Sequence, residues 1–343
     1  MEKVDIGVIG VGYLGSIHAK ILSKISNANF VGVYDINEQR ARQVANENNV
    51  KMFSTLDELL DNVRAVIIAT PTTTHREIAV HCLKRGIHTF IEKPITNDID
   101  GAEEIIKIAR EKNLKVQIGH VERFNPALLS LSNYKIKPVF IETHRLAQFK
   151  PRGTDVAVIL DLMIHDIDII LNLVKSEIDE IRASGVAVIS DSIDIANARI
   201  QFKNGCVANV TASRISRKNE RKMRIFQKDA YISIDFLQGI TEIFRLVDDV
   251  ENKDNSEDIK PTVLLGRIEE SAKRRKIIYE QPEIKSVNPI EEELTAFIDS
   301  IIHNKPTPVG AEEGKLSLEV AFKIIEEIER QQKIVKEKMS LDF

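Results

Sequence analysis

The sequence predicts an α/β fold of two domains, in which a doubly wound parallel sheet precedes a second domain of mainly antiparallel strands. Three observations predict it. A glycine-rich turn joins the first strand to the first helix, strands and helices then alternate to about residue 120, and strand-rich sequence follows. Such alternation is typical of a parallel sheet with ligands at the carboxyl ends of its strands. A chain of 343 residues is too long for one ordinary compact core, so two domains are expected. We assign residues 1–120 to the first domain and residues 121–343 to the second.

The composition predicts a soluble globular protein of the cytoplasm. Hydrophobic residues make up 43% of the chain and charged residues 29%, and no apolar run approaches the roughly 18 residues of a membrane span. With 48 basic and 52 acidic residues the net charge is -4, which gives no reason to expect nucleic acid. Cys82 and Cys206 each lie in apolar sequence, so we expect buried thiols and no disulfide framework. The N-terminus lacks the pattern of a secretory signal.

The glycine-rich turn predicts a dinucleotide site. The β-rich run Val4–Ile9 leads into Gly10-Val-Gly-Tyr-Leu-Gly15, and a helical pattern begins there. In such a turn the first glycine permits the tight bend, the second lets the backbone approach the pyrophosphate, and the third lets the helix pack closely on the strand. The N-terminus of the helix offers its amides to the phosphates. The residues of the turn that we expect to bind the cofactor are Gly10, Gly12, Tyr13, Leu14 and Gly15.

Asp35 ends the second predicted strand, 20 residues beyond Gly15. An acidic residue at this distance accepts the hydroxyls of the adenosine ribose; a helix cap or turn residue is the alternative. A carboxylate there repels a 2′-phosphate, so NAD is favoured over NADP, although Arg40 and Arg42 lie nearby in the sequence.

Two further strand ends carry polar residues. Thr70-Pro71 follows the buried strand Ala65–Ala69, and Glu92-Lys93-Pro94 ends the strand after the helix 77–85, whose end is marked by Gly86. Because carboxyl ends of parallel strands share one edge of the sheet, we expect a cofactor cleft there, bordered by Thr70, Pro71, His75, Glu92 and Lys93. Lys93 is thereby better placed for chemistry than a lysine on a helix surface.

The second half is rich in predicted strands. The Asn204-Gly205 pair between two of them is a strong hairpin signal. Two segments near the C-terminus, PIEEELTAFIDSIIHN and KLSLEVAFKIIEEIERQQ, have helical periodicity and acidic first turns. We expect these helices to pack back on the domains.

The segment LDLMIHDIDIIL, Leu160–Leu171, combines an apolar character with four polar groups. On a helix, Asp161, His165 and Asp168 share one face. Three explanations of this polar face are open: a metal site, a structural hydrogen-bond network or a catalytic base. The metal explanation is disfavoured, because the ligand set is incomplete and no clustered Cys/His motif supports it. For Asp166 and Asp168 we favour a structural role.

Three stretches resemble the Gfo/Idh/MocA family of NAD(P)-dependent oxidoreductases: GVGYLG, ATPTTTHREIAVHCLKRGIHTFIEKP and the pair Asp161-x-x-x-His165. The resemblance implies a Rossmann domain, a second α/β domain with an open, mainly antiparallel sheet, and NAD as cofactor. It also implies a catalytic trio of Lys93, Asp161 and His165. One departure is Met163, which stands where many members of the family carry glycine.

The chemistry of this trio is that of acid–base catalysis. Oxidation of an alcohol removes the hydroxyl proton while hydride leaves carbon, and a histidine can accept such a proton near neutral pH. A cationic Lys93 would stabilise negative charge developing on oxygen, and Asp161 would orient the imidazole or bind a substrate hydroxyl. Whether His165 or Lys93 is the base stays open at the level of sequence.

Part of the sequence resembles the nucleotide-sugar branch of the family more specifically. The resemblance lies in two stretches that are less general than the family motifs, GHVERFNPA and FKPRGTDVAVILDLMIHDID, together with GYLGSIHA. That resemblance implies oxidation of the C3 hydroxyl of UDP-N-acetylglucosamine to a ketone, which a partner aminotransferase can convert to an amine. Arg123, Lys150 and Arg152 are candidate ligands of the diphosphate, with plain surface charge as the alternative. Asn125 is a candidate ligand of a sugar hydroxyl or acetamide, or a helix cap before Pro126.

Two other functions remain as alternatives. A polyol or free-sugar dehydrogenase of the inositol type would use the same cofactor and trio. A dinucleotide-binding sensor without turnover is disfavoured, because a sensor has no need of a proton path. A homo-oligomer is expected, since an open sheet face otherwise stays exposed.

Overall fold

The computed structural model describes residues 2–150, 156–248, 262–270 and 273–339. The chain separates into two compact units. The first comprises Met1–Phe124 and Val287–Glu319, and the second comprises Asn125–Ser286 and Val320–Phe343. Each unit therefore combines an earlier stretch of the chain with part of the C-terminal segment.

Strands and helices alternate through the first third of the chain, as the sequence predicts. The elements of this part are β1 (Val4–Ile9), α1 (Tyr13–Leu22), β2 (Ala28–Tyr34), α2 (Glu38–Asn48), β3 (Lys51–Met52), α3 (Leu56–Leu60), β4 (Ala65–Ile68), α4 (His75–Lys84), β5 (His88–Glu92), α5 (Ile99–Glu111) and β6 (Val116–Gly119). The later elements are α6 (Pro126–Leu129), β7 (Phe140–Leu146), α7 (Ile164–Val174), β8 (Ile178–Val186), β9 (Ile195–Phe202), β10 (Val207–Ser213), β11 (Glu220–Gln227), β12 (Ala230–Asp235), β13 (Ile240–Asp248), β14 (Thr262–Glu270), β15 (Lys273–Glu280), α8 (Pro289–Ile302) and α9 (Ala311–Met339). Both predicted C-terminal helices are thus confirmed.

The first unit contains a six-stranded sheet in the order β3-β2-β1-β4-β5-β6. All of its pairs are parallel, so the predicted doubly wound sheet is confirmed. The order reverses between β1 and β4, and such a reversal opens a crevice at the carboxyl ends of the strands. Strands buried on both faces read as continuous apolar runs, as β4 does with four buried residues in a row. Helix α8 completes this core with Leu294, Phe297 and Ile298.

Side-chain caps begin several helices of the first unit. Asn37 accepts the amide of Arg40 at the start of α2, and Asn288 caps α8 ahead of Pro289. Caps of this kind satisfy amides that the first turn leaves unpaired. Helix α4 ends before Gly86, whose φ of 82° is the left-handed conformation that the sequence predicts for this glycine.

The second unit is built on a nine-stranded sheet in the order β14-β15-β13-β12-β11-β7-β10-β9-β8. Its pairs are antiparallel apart from β7 with β10, which confirms the mainly antiparallel sheet. Burial alternates along β9, so one face packs inward against α7 and the later part of α9. The Asn204-Gly205 hairpin is confirmed: Gly205 has a φ of 87°, and Asn204 Oδ1 accepts the amide of Cys206 at 3.0 Å.

The other face of this sheet carries a row of aromatic side chains, one from each of five neighbouring strands. Neighbouring rings lie 4.9–5.5 Å apart between centroids. The members of this aromatic row are Phe140, Phe226, Tyr231, Phe244 and Tyr279. Phe226 keeps 37% of its surface exposed, which is unusual for a large ring and marks the row as a candidate contact surface.

The segment around Asp161 differs from the regular α-helix that the sequence suggests. Residues Ile159–Met163 form a π-helical turn, and α7 begins only at Ile164. A π turn accommodates one extra residue in the helical path, and such turns often occur at functional sites. Asp161 lies within this π turn and His165 lies at the start of α7, so the regular spacing of an α-helix does not describe this pair.

Candidate active site

The three glycines of the first turn differ in the space around them. Gly10 has a φ of 81°, and a Cβ there would lie 2.7 Å from Thr70 Cγ2. A Cβ on Gly15 would lie 1.8 Å from the carbonyl oxygen of Gly10, so only glycine permits this helix to pack on the turn. A Cβ on Gly12 would meet nothing within 4 Å. The open space beside Gly12, at the N-terminus of α1, fits the pyrophosphate of a dinucleotide.

Tyr13 and Leu14 form the first turn of α1 and stay exposed, at 64% and 39% of their surfaces. Exposed large side chains beside a glycine turn offer apolar surface to a bound ligand.

Asp35 lies at the end of β2, and its carboxylate accepts hydrogen bonds from two backbone amides. Oδ2 accepts the amide of Val11 at 2.7 Å, and Oδ1 accepts the amide of Asn37 at 2.8 Å. A carboxylate has about four acceptor positions, so this arrangement leaves capacity for ribose hydroxyls. Asp35 therefore shapes the glycine turn, a turn role that the sequence left as the alternative, and can bind the ribose as well.

Arg40 closes the same loop from α2. Its Nε donates to the carbonyl oxygen of Val11 at 2.9 Å, and Nη1 donates to Gln43 Oε1 at 3.0 Å. Two of its donor groups thus serve the protein itself, which reduces what Arg40 offers to a 2′-phosphate.

His75 joins the loops that follow β4 and β5. Its Nδ1 lies 2.9 Å from the carbonyl oxygen of Pro94 and its Nε2 lies 3.0 Å from that of Thr70, and only 1% of the residue is exposed. Burial lowers the pKa of His75, while the two carbonyl oxygens act in the opposite direction. The side chain thus connects Thr70 to Pro94, and the Lys93–Pro94 peptide bond is cis.

Glu92 ends β5 directly before Lys93. Its Oε1 lies 2.6 Å from His18 Nε2, and its Oε2 accepts the amide of Lys93 at 3.2 Å. Burial raises the pKa of the Glu92 carboxyl, but the hydrogen bond to His18 and the charges of His18 and Lys93 outweigh it, so that the pKa lies below its usual value. Glu92 is therefore ionised at neutral pH.

In the first unit, the residues predicted to bind the cofactor thus gather at the carboxyl ends of β1, β2, β4 and β5. Lys93 lies among them, half-buried. Sequence reasoning missed His18 as a member of this group. The signal was present, because His18 shares the buried face of α1 with Gly15 and Leu22, where a polar ring needs a partner.

In the second unit, Asp161 and His165 are half-buried at the π turn and at the start of α7. The neighbouring acids are buried: Asp166 is 2% exposed and Asp168 is 1% exposed. Asp166 forms a bidentate ion pair with Arg145 of β7, which agrees with the structural role expected for it.

The four residues predicted to bind substrate have different surroundings. Arg123 is half-buried in the 3-10 turn Val121–Phe124, and Lys150 is exposed. Asn125 caps α6: Oδ1 accepts the amide of Ala127 at 3.1 Å, and Nδ2 donates to the carbonyl oxygen of Phe236 at 3.2 Å. The cap that the sequence offered as an alternative is thus present. Arg152 lies outside the described residues.

Across the described residues, no helix is both long enough and apolar enough to cross a bilayer. The same residues contain no group of three or more His, Cys, Asp and Glu side chains arranged to hold a metal ion.

A parallel sheet with a glycine turn, an acidic residue at the end of β2 and an open space at the start of α1 defines a dinucleotide-binding protein. Residues 4–120 match the model of an oxidoreductase family with an NAD-binding Rossmann fold, and residues 139–233 match the model of the GFO/IDH/MocA C-terminal domain. The chain belongs to the Gfo/Idh/MocA family of oxidoreductases. It is an NAD-dependent dehydrogenase.

Among its relatives is a UDP-N-acetylglucosamine 3-dehydrogenase of Acidithiobacillus ferrooxidans, 45% identical over 71% of this chain and 78% of that protein. A solved structure of that enzyme from the same organism superposes with a TM-score of 0.84 at 35% identity, covering 96% of this chain and 99% of the other. A myo-inositol 2-dehydrogenase of Thermotoga maritima is 24% identical over 96% of this chain and 97% of that protein.

Proposed function

We propose that the protein oxidises the C3 hydroxyl of UDP-N-acetylglucosamine to a ketone, with NAD as the hydride acceptor. The observation that carries this proposal is the similarity to the Acidithiobacillus enzyme, which extends over nearly the whole of both chains in the structural comparison. The similarity to an inositol dehydrogenase is lower, at 24% identity.

The proposed chemistry divides among three side chains. When bound, the nicotinamide of NAD supplies the acceptor for hydride. Lys93 would hold the substrate oxygen and stabilise its developing charge, and His165 would exchange the hydroxyl proton. Asp161 would orient the imidazole or bind a neighbouring hydroxyl. Lys93 remains the second candidate for the base.

The cofactor would bind along the strand ends of the first unit. The pyrophosphate would lie beside Gly12, between Gly10 and Gly15, and Asp35 would accept the ribose hydroxyls. The remaining residues proposed to line this site are Tyr13, Leu14, Thr70, Pro71, His75, Glu92 and Lys93.

The nucleotide sugar would need cations for its diphosphate, and Arg123, Lys150 and Arg152 are proposed for this role. Asn125 is proposed to contact a sugar hydroxyl or the acetamide in addition to its capping role. Binding of a diphosphate by Arg123, Lys150 and Arg152 would distinguish a nucleotide-sugar dehydrogenase from a free-sugar dehydrogenase.

We further propose that the protein works in the cytoplasm as a homo-oligomer. The aromatic row on the open face of the nine-stranded sheet supports self-association, because rings of this size lose water-exposed surface when they pack against a second copy. A 3-keto sugar is a substrate for amination, so an aminotransferase is the expected next enzyme.

The substrate proposal is tested by mixing protein and NAD with UDP-N-acetylglucosamine, N-acetylglucosamine or myo-inositol and following the absorbance of NADH. A ketone trap or a coupled aminotransferase removes the product, because the equilibrium favours the alcohol. We expect NADH with the UDP-sugar alone. NADH with myo-inositol instead would favour the polyol dehydrogenase, and demonstrated NAD binding without turnover on any of the three would favour the sensor.

A further inference from the structure

A buried ion pair lies at one end of the β9–β10 ladder in the second unit. Asp194 directly precedes β9 and Arg214 directly follows β10, where Ile195 pairs with Ser213. Arg214 Nε lies 3.8 Å from Asp194 Oδ1, and the two side chains are 7% and 0% exposed. The backbone amide of Arg214 also donates to the carbonyl oxygen of Asp194 at 3.0 Å. The backbone therefore holds the two residues side by side.

The turn between β8 and β9 fixes the carboxylate of this pair. Asp194 Oδ2 accepts three backbone amides at 2.7–3.0 Å, those of Val188, Ile189 and Ser190. Oδ1 accepts the hydroxyl of Ser190 at 2.7 Å. A buried arginine needs a partner of this kind, because a buried charge without a counterion is costly.

The guanidinium group also contacts the segment that precedes the π turn. Arg214 Nη2 donates to the carbonyl oxygen of Val156, which accepts the hydroxyl of Ser192 as well, at 3.3 Å. Further along the chain, the amide of Val158 donates to the carbonyl oxygen of Ile193 at 2.9 Å. Hydrogen bonds thus bind this stretch of the chain both to Arg214 and to the turn before β9.

The same stretch supports the π turn that contains Asp161. The amide of Asp161 donates to the carbonyl oxygen of Ala157 at 3.2 Å. Among the described residues no side chain caps the start of the turn at Val158, so the first amide of the turn depends on its backbone partner. A path through the adjacent residues Val156 and Ala157 therefore joins the Arg214 side chain to the backbone of Asp161.

We propose that Arg214, held by Asp194, is a positioning residue for the π turn and thereby for Asp161. A planar guanidinium group can face a carboxylate and a carbonyl oxygen at the same time, whereas the ammonium group of lysine is a compact point charge. This inference rests on the proposed function in one respect, because it is Asp161's part in the oxidation that gives the positioning its purpose.

The first measurement is hydrogen–deuterium exchange of the full-length protein without cofactor or substrate. Peptides that cover residues 156–163 report on opening of the π turn, and peptides from β12 report on opening of the whole sheet. Arg214→Met removes the guanidinium group and keeps an apolar side chain. Arg214→Lys keeps a positive charge beside Asp194. The matched control is Arg199→Met, because Arg199 donates to Asn209 Oδ1 at 3.2 Å on the exposed side of the same ladder.

We expect Arg214→Met to accelerate exchange in residues 156–163 by about tenfold or more, which corresponds to the loss of one hydrogen bond from a charged group. The acceleration should exceed any change in β12. Arg214→Lys should show the same local effect, because an ammonium group beside Asp194 does not also reach the carbonyl oxygen of Val156. Arg199→Met should leave exchange in residues 156–163 unchanged.

The second measurement separates positioning from stability. In the NADH assay, Arg214→Lys should lower kcat by about tenfold or more, since small displacements of groups around the reacting atoms cost large factors in rate. The KM for NAD should not change, because the proposed cofactor site lies in the first unit. A purely structural role would leave kcat of the folded enzyme, counted by NAD binding, at the wild-type value.

Wild-type exchange in residues 156–163 of a folded Arg214→Met variant would overturn the proposal, and so would an Arg214→Lys variant with wild-type kcat. If Arg214→Met does not fold, Arg214→Lys decides both measurements. The exchange requires neither NAD nor a nucleotide sugar. A wrong substrate would therefore appear as absent NADH formation with the exchange difference intact, whereas a wrong role for Arg214 would appear as unchanged exchange in an active enzyme.

Discussion

Arg145 and Asp166 form a doubly hydrogen-bonded ion pair inside the second unit. Arg145 Nε lies 2.8 Å from Asp166 Oδ2, and Nη2 lies 2.9 Å from Oδ1. Each side chain is only 3% exposed. Since Asp166 directly follows His165, the pair ties the helix of the proposed catalytic histidine to strand β7.

Removing one member of this pair should destabilise the protein by about 3–5 kcal/mol, because the remaining buried charge loses its bidentate ion pair. Asp166→Asn and Arg145→Met test this prediction, with the free energy of unfolding measured in urea from the transition of the second unit. The double variant should recover much of the loss, since it removes both charges of the pair. The matched control is Arg182→Met, which removes an exposed pair with Glu180. Equal midpoints for Asp166→Asn and the control would refute the assignment.

Asp194 should make the stability of the second unit depend on acid pH. Burial raises the pKa of its carboxyl, but the amides of Ile189, Ser190 and Val188 and the hydroxyl of Ser190 lower it to about 2. A carboxyl with a depressed pKa stabilises the fold fully above its unfolded pKa, near 4, and loses this contribution as the pH falls towards 2. The contribution amounts to about 2 kcal/mol.

Asp194→Asn should accordingly cost stability at pH 7 and progressively less as the pH approaches 2, measured as the difference in unfolding free energy from wild type. Asp191→Asn is the control, because Asp191 is exposed in the same loop. A difference between wild type and Asp194→Asn that does not shrink on acidification would contradict the expected titration.

The two glycines at the start of α1 should respond differently to the same methyl group. In Gly15→Ala the methyl would collide with the backbone oxygen of Gly10, so folding of the first unit should suffer. In Gly12→Ala the methyl enters open space, since a Cβ there would meet no other atom within 4 Å. We expect Gly12→Ala to keep its melting temperature and to lose about tenfold or more in NAD affinity. Unchanged NAD binding by Gly12→Ala in calorimetric titration would place the pyrophosphate elsewhere.

A charge in the aromatic row should weaken self-association. Phe226 stacks on Tyr231 with 4.9 Å between centroids and is the exposed member of the row. Phe226→Glu should shift the mass measured by light scattering towards the monomer, because a carboxylate is costly to bury in an apolar contact. Lys228→Glu, an exposed change at the adjoining turn, should leave the mass unaltered. A monomeric wild type, or a Phe226→Glu variant of unchanged mass, would exclude this face as the contact.

Most of the structural features that the sequence predicted depend on local patterns of residues. The glycine turn, Asp35 and the Asn204-Gly205 hairpin each depend on backbone conformations or spacings that lie within a few residues or one βα unit. The alternation of strands and helices predicted the parallel sheet, and the loss of that alternation predicted the second, antiparallel sheet.

Contacts between distant residues were not accessible in the same way. His18 and Glu92 are 74 positions apart and Arg145 and Asp166 are 21 apart, and a single sequence does not specify which buried charges meet. The π turn at Ile159–Met163 also escaped prediction, because periodicity alone does not reveal one inserted residue in a helical path. These features required the packing of whole elements.

The most direct test of the proposed oxidation uses UDP-N-acetylglucosamine that carries deuterium at C3. Protein, NAD and a ketone trap are mixed with this substrate, and the reduced cofactor is analysed by mass spectrometry, with Lys93→Ala and His165→Ala as controls. We expect the wild-type enzyme to produce reduced NAD that is heavier by one deuterium, and we expect Lys93→Ala and His165→Ala to bind NAD without reducing it. Reduced NAD without deuterium would mean that hydride leaves another carbon, and a fully active Lys93→Ala, His165→Ala double variant would contradict the proposed site.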